Sequence, residues 1–393
     1  MASKFINGKS VQVFLGEIIK AMPYLAASKK HFADQIQGKK NGKDGSNYSV
    51  VLRDAGRVSD ELEINDESEG EVQEREVTMT MMKKKTFVDV DTLSSVVDIK
   101  DFKSEVAETY GTHLGAECQK SAIENTFFKA DTATVADTNG WTALAPATAK
   151  MKAARVGGKI VGFMDPLAEA NLSINALNSW HFGPSEQGAK FYHEASIGKF
   201  MGAEFVYVND IPTVTGATIS GTISAIEDKG AYSEITLGAA ITAKKGTPLK
   251  VAGAKACNVV GMPISSDFIL VIQEDVANSA TVKVQKVITD NIGSRNCSIE
   301  GNTLVGATVS NLLVNGKEYY VAQVRTEDTL SLDNVPLDDL EGALNTKETV
   351  GGLDLHVTKF GDSKKRINRT RWDIAMLYGM CDTRLVSLAY MPV

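Results

Sequence analysis

The residues able to do chemistry in this chain are five histidines, four cysteines and two blocks of charge. His31, His113, His181, His193 and His356 are scattered, and none belongs to an HExxH pair or a Cys/His cluster of zinc-binding spacing. His113 and Glu117 stand one helical turn apart and could share a metal, but two ligands without a third do not make a site. Trp180-His181-Phe182 and Phe191-Tyr192-His193 read as packing clusters rather than catalytic ones. There is no GxxxxGK[ST] loop, no GxGxxG after a strand and no GxSxG elbow, so neither phosphate cradling nor a hydrolase nucleophile is signalled. Asp44-Gly45 with Asn41 and Asn47 imitates part of a calcium loop but lacks the bidentate glutamate, and a plain turn is expected. Cys118, Cys257, Cys297 and Cys381 form no CxxC pair and read as reduced, buried thiols of a cytosolic context.

The charge blocks are more distinctive. Asp60, Glu61, Glu63, Asp66, Glu67, Glu69, Glu71, Glu74 and Glu76 make an acidic stretch with little apolar material to bury. Lys359, Lys364, Lys365, Arg366, Arg369 and Arg371 make a basic one far away in sequence. A solvated loop or a turn with surface lysines would explain each alone; pairing between copies would explain both. The net charge of −7 argues against broad coating of nucleic acid. A mean hydropathy of −0.11 is ordinary for a soluble protein. The start MASKFINGKS has no apolar core long enough for a signal peptide, and no run approaches ~18 apolar residues, so no membrane span is expected.

The elements that must position these charges follow from periodicity. The chain's 393 residues suffice for two or three packed units. Val11, Phe14, Leu15, Ile18, Ile19 and Met22 keep helical spacing until Pro23, and Lys29, Lys30, Lys39 and Lys40 follow. This basic arm either docks on a partner or packs on its own core. Residues 49–88 read as a two-stranded excursion, with alternating Thr78, Met79, Thr80 and Met81 on the return and the acidic stretch at its tip. An isolated hairpin of that kind is marginal in water, so it should be mobile or lie on something basic. Residues 98–130 read as one long helix whose stripe Phe102, Val106, Tyr110, Leu114, Cys118 and Ala122 steps by four, with Asp98 or Asp101 as N-cap. Gly111 and Gly115 cost it helix propensity, so tertiary packing must help. Around this spine the chain alternates: a helix near 147–156, a strand in KIVGFMDP, a helix in LAEANLSINALNSW, a strand in KFMGAEFVYVND. From 213 to 290 five short strands at even spacing read as a small inserted barrel or meander. NLLVNGKEYYVAQVR returns to the mixed type, and GGLDLHVTKF, RWDIAMLYGMC and LVSLAYMPV close the chain as strands.

That order resembles a known family. A basic helical arm, a charged hairpin, a spine helix, an α/β domain and closing strands are arranged as in tailed-phage major capsid proteins of the Hong Kong ninety-seven type, and within these as in the coat proteins of P-twenty-two-like short-tailed phages. FLGEIIKAMPYLAASKKH resembles that group's opening helix, GKFMGAEFVYVNDIP the strand ending its first A-domain segment, and TGATISGT with ITLGAAITAKKGTPLKVAG the start of its inserted barrel. RWDIAMLYGMCDTRLVSLAYMPV resembles its closing strands, with Trp372, Tyr378, Gly379 and Arg384 in matching places. No motif assigns the lysine–asparagine crosslink of the family's type phage.

The resemblance implies an α+β fold divided into an N-terminal arm (1–40), an extended E-loop hairpin (41–88), a P-domain spine helix (89–130), a first A-domain part (131–212), an inserted β-barrel (213–290), a return to the A-domain (291–345) and P-domain closing strands (346–393). It implies a structural, non-catalytic protein without cofactor or metal, assembling in the host cytoplasm into hexamers and pentamers of an icosahedral virion shell. A scaffolding protein and a portal would be its partners, and double-stranded DNA its sequence-independent content. Subunit contacts are then expected at Glu61, Glu63, Glu67, Glu69, Glu71 and Glu74 on one side and Lys364, Lys365, Arg366, Arg369 and Arg371 on the other, with arm contacts at Phe14, Ile18, Ile19, Lys29 and Lys30. Two other classes share parts of the pattern: an encapsulin-like compartment shell, and a soluble α/β enzyme with His113, His181 or His193 in a cleft.

Overall fold

A computed structural model describes residues 8–27, 29–30, 47–53, 74–91, 103–154, 158–179, 199–290, 292–335, 337–350, 353–362 and 367–393. They divide into two units, one drawn from 1–49, 79–124 and 331–379, the other from 50–78, 125–330 and 380–393.

In the first unit two helices cover one face of a sheet. The helical spacing at the start produces the helix Gly8–Lys20, and Pro23 opens a separate short helix, Pro23–Ala26. Val11, Phe14, Leu15, Ile18 and Met22 are fully buried. Strand Ile367–Met380 is the sheet's centre. It pairs antiparallel with Glu74–Asp91 along one edge and with Leu353–Asp362 along the other, and Leu344–Val350 extends the sheet beyond Leu353–Asp362. Lys29–Lys30 pairs in parallel with Ser331 and Leu332. Its inner face presents Trp372, Ile374, Met376 and Tyr378, all buried. The Phe14 ring stacks on Trp372 at 4.8 Å between centroids, and the Tyr378 hydroxyl donates to the Ser121 carbonyl.

The spine helix begins as a π-helix over Lys103–Gly111 and continues as an α-helix over Thr112–Thr126. Its expected first residues, including Asp98, Asp101 and Phe102, lie outside the described set. Val106, Leu114, Cys118, Ala122 and Ile123 are buried, so the stripe read from sequence faces the core. The two glycines have a packing reason. A Cβ on Gly115 would lie 2.5 Å from the Ile18 carbonyl oxygen, and one on Gly111 would lie 3.1 Å from that of Phe14. The first helix therefore crosses the spine at backbone distance, and the lost helix propensity is the cost of that approach.

The second unit holds a mixed sheet in the order Thr132–Val135, Val386–Pro392, Glu318–Thr326, Ile160–Met164, Ala203–Tyr207, Lys199–Phe200. Helices Trp141–Ala153 and Pro166–Ser179 pack with it around Leu144, Met151, Leu172, Phe205, Val324 and Met391. Between two of its strands the chain builds a further sheet, in the order Pro263–Val271, Pro248–Cys257, Thr308–Asn311, Ser220–Asp228, Ser233–Ala243, Val276–Val284. Its first and last strands meet at an Ile272–Val284 bridge and a Gln273 N–H to Lys283 carbonyl bond of 2.9 Å. Ile223, Ile235, Leu249, Phe268, Leu270 and Val309 fill its interior.

Residues 308–311, expected in the return to the mixed type, lie in this further sheet instead. Val309 pairs with Gly221 on one side and Val251 on the other, so it joins strands on both sides of it. Residues 54–73, where the tip of the two-stranded excursion is expected, lie outside the described set, while Asn47–Arg53 pairs with Glu74–Asp91 as expected. Among the described residues no helix is long and apolar enough to cross a membrane. All four cysteines are buried and none is in a disulfide.

Candidate interaction face

Strand alternation sorts the basic residues of the first unit between two faces. The register opposes Lys83 to Ala375, Lys85 to Asp373 and Phe87 to Arg371, and Thr358 stands across from Arg371 on the other side. Lys83, Lys85, Phe87, Arg369 and Arg371 thus share the face turned away from the helices. Lys84 points the other way and reaches Glu117 of the spine helix at 3.6 Å. On the outer face the Arg371 guanidinium lies 2.7 Å from Asp373, and Arg369 stacks over the ring of Phe87 at 4.6 Å. Phe87 is nevertheless 50 % exposed. Among the described residues neither Lys83 nor Lys85 is engaged in an ion pair, so their charge faces solvent.

A segment from 337 to 343 crosses this face and leaves a cleft of about 380 Å³, lined by Lys83, Lys85, Leu340, His356, Arg371 and Asp373 among others. The segment is tied down through Asp339, which lies 3.2 Å from both Lys347 and His356 Nε2. Lys347 and His356 together hold the Asp339 carboxyl below its ordinary range. Leu340 and Leu344 are 50 % and 65 % exposed nearby. The arrangement suits an acidic, partly apolar extended segment better than a small metabolite: its charges are spread along a strand rather than converging on one point.

Of the residues nominated from sequence, the structure places Arg369 and Arg371 on this face. Lys359 pairs with Thr370 on the helix-side register, and burial lowers its pKa. Lys364, Lys365, Arg366, Glu61, Glu63, Glu67, Glu69 and Glu71 lie outside the described residues; Glu74 opens its strand, with its side chain outside them. Phe14 and Ile18 are consumed by packing in their own unit, and Ile19 is half-buried. Lys29 and Lys30 form a short strand beside Ser331 and Leu332. His31, His181 and His193 are outside the described set; His113 is exposed and Glu117 is paired with Lys84. Among the described residues no three ligand-type side chains gather to hold a metal. Sequence reading missed Lys83, Lys85 and Phe87, although their i, i+2, i+4 spacing in a strand was available to place them on one face.

It also missed a buried polar cluster in the second unit. Asp131 is fully buried, accepting from Thr383 Oγ1 at 2.8 Å and Asn296 Nδ2 at 3.2 Å. Burial pushes its pKa up to about 7, and the nearby Asp382 adds to the rise. Arg384 Nε and Nη2 clasp Asp382 at 3.0 and 2.9 Å, while Nη1 donates to the Gly293 carbonyl at 2.9 Å. Gln285 Nε2 donates to the carbonyls of Ala130 and Ile269, and its Oε1 accepts from Val271 N–H. The cluster knits the further sheet to the mixed sheet.

No family model matches this chain, and no curated protein does. Among solved structures it is similar to one described as the capsid structure of the cyanophage P-SCSP1u, at 11 % identity and a TM-score of 0.43, covering 88 % of this chain and 84 % of that one. It is similar to one from Mycobacterium phage Che8, at 11 % identity and a TM-score of 0.40, covering 92 % and 91 %. A third, the asymmetric unit of the bacteriophage PhiM1 mature capsid, shares 7 % identity at a TM-score of 0.42, covering 92 % and 86 %.

Proposed function

We propose that this chain is the major capsid protein of a tailed phage, a non-catalytic subunit that assembles with copies of itself into an icosahedral shell around double-stranded DNA. The observation that supports this most is the outer face carrying Lys83, Lys85, Arg369 and Arg371 in a chain whose acidic residues crowd into 60–76. A basic sheet face and an acidic stretch in one sequence are complementary between copies. We assign the subunit contacts accordingly: Glu61, Glu63, Glu67, Glu69, Glu71 and Glu74 of one copy against Arg369, Arg371 and the neighbouring Lys364, Lys365 and Arg366 of the next. Ile19, Lys29 and Lys30 are the arm's share.

Exposed ion pairs contribute only ~0–1 kcal/mol each. The charges therefore select register and partner, while buried area, on the order of 2,000 Å² or more per obligate contact, supplies affinity. The order of elements supports the finer reading of a Hong Kong ninety-seven type subunit of the P-twenty-two-like group. The spine helix precedes the mixed sheet, the further sheet interrupts it, and the last strands return to both units. We take the sheet of Ser220–Asn311 as the inserted barrel and expect a scaffolding protein and a portal as partners. The net charge of −7 suits a wall that contains DNA without gripping it. The test is electron microscopy of particles formed by the purified chain, alone and with its scaffold. Closed shells support the reading, and a chain that stays monomeric under every condition refutes it.

A further inference from the structure

A small pocket in the second unit has the chemistry of an anion site. It is lined by Lys129, Lys286, Ser294, Asn296, Cys381 and Thr383 among others, and its volume is about 50 Å³. Lys129 sits between the end of the spine helix and strand Thr132–Val135, only partly exposed. Among the described residues its ammonium has no carboxylate partner. The groups that act on it are burial and two more cations, Lys283 and Lys245. Each of the other lysines has something to answer it. Lys286 lies 3.4 Å from Asp228, and Lys283 lies over the Tyr232 ring and 4.0 Å from Glu274. The Lys245 backbone N–H donates to Asp275 Oδ1 at 2.9 Å, the carboxylate that also pairs with Lys244.

The polar groups at the back of the pocket are already committed. Thr383 Oγ1 and Asn296 Nδ2 donate to Asp131, and Asn296 Oδ1 accepts from Ile288 N–H. The Ser294 hydroxyl bonds to no described residue although Ser294 is 3 % exposed. The Lys129 ammonium and the Ser294 hydroxyl therefore remain without an acceptor among the described residues, whereas Lys286 already has Asp228. An unneutralised cation in a partly closed site is costly, and an anion relieves that cost.

We propose that this pocket binds one small phosphate-class oxyanion, held by the Lys129 ammonium as a point charge and by the Ser294 hydroxyl as a hydrogen-bond donor. The space admits one such group and excludes a nucleoside. A free oxyanion and a phosphate at a nucleic-acid strand end present the same chemistry, and the test separates them.

The test is thermal unfolding of the full chain in sodium phosphate against sodium chloride of equal ionic strength. Phosphate at a hundred times its Kd should raise the midpoint by on the order of 3–6 °C, saturably. Lys129→Met and Ser294→Ala should each weaken phosphate at least tenfold, while Lys129→Arg retains it. Lys129 loses its charge near pH 8, so the phosphate effect should shrink between neutrality and pH 9.5. A 5′-phosphorylated oligonucleotide at equal phosphate concentration that reproduces the shift would identify a strand end as the source; no shift from it identifies the free ion. Equal shifts from phosphate and chloride, or a phosphate shift unchanged in Lys129→Met and Ser294→Ala, would overturn the proposal. If Lys129→Met does not fold, phosphorus NMR line broadening with Ser294→Ala and with the wild type decides.

Discussion

Replacing Asp131 by asparagine should change how stability depends on pH rather than simply lowering it. The carboxyl is fully buried and its pKa rises from 3.8 to about 7 on folding. A group whose folded pKa is raised contributes stability below its unfolded value and loses that contribution as pH climbs through the folded one. The window here runs from about pH 4 to about pH 7. Roughly three pKa units at 1.36 kcal/mol each amount to ~4 kcal/mol, an order-of-magnitude figure. Asparagine keeps the acceptor for Asn296 and gains an amide that can donate to the Thr383 hydroxyl, so the hydrogen bonds survive. The variant should be less stable than wild type near pH 4 and approach or exceed it at pH 8, the difference between the two changing by ~4 kcal/mol. Urea denaturation of unassembled subunits, followed by circular dichroism at half-unit pH steps, reads this directly. Curves that stay parallel across the window would refute the claim that this carboxyl is neutral in the native state at low pH and ionises at a cost.

Four further outcomes are expected. Gly115→Ala gains up to ~1 kcal/mol of helix propensity but puts a Cβ 2.5 Å from the Ile18 carbonyl, so a net loss of about 1–3 kcal/mol in denaturant unfolding is expected. Gly16→Ala, with open space around its Cβ, should stabilise by a few tenths to 1 kcal/mol in the same assay. Arg384→Met leaves Asp382 buried without its clasp and should cost about 3–5 kcal/mol, with Asp131 driven further towards its neutral form. Arg366, Arg369 and Arg371 reversed together to glutamate should block particle formation in sedimentation while circular dichroism shows a folded subunit. Normal particles from that variant would sink the assignment of charge pairing.

Elements whose signal is local were legible in the sequence. The 11–22 stripe, the Thr-Met alternation before Lys83 and the apolar run of Ile160–Met164 each follow from a period set by backbone geometry. The short strands Thr132–Val135, Leu330–Asn334 and Leu344–Val350 were not legible: the first two are too short for their alternation to stand out, and the third is mostly Asn, Thr, Lys and Glu. Strand Thr308–Asn311 was misplaced because its partners, not its composition, decide which sheet it joins. The same holds for the polar cluster: Asp131 meets Asn296 across 165 residues and Thr383 across 252, separations at which spacing says nothing. On the interaction face, Arg369 and Arg371 stood out as part of a charge run, whereas Lys83 and Lys85 gain meaning only from a register that sets them beside Ala375 and Asp373.

The central claim is self-assembly into a closed shell, and sedimentation velocity on the purified chain, with negative-stain microscopy of any fast fraction, addresses it most directly. The account predicts closed particles of uniform size, formed alone or once a scaffolding protein is co-expressed, that dissolve when the basic face is reversed in charge. A sharp monomer or dimer boundary under all of these conditions would contradict it.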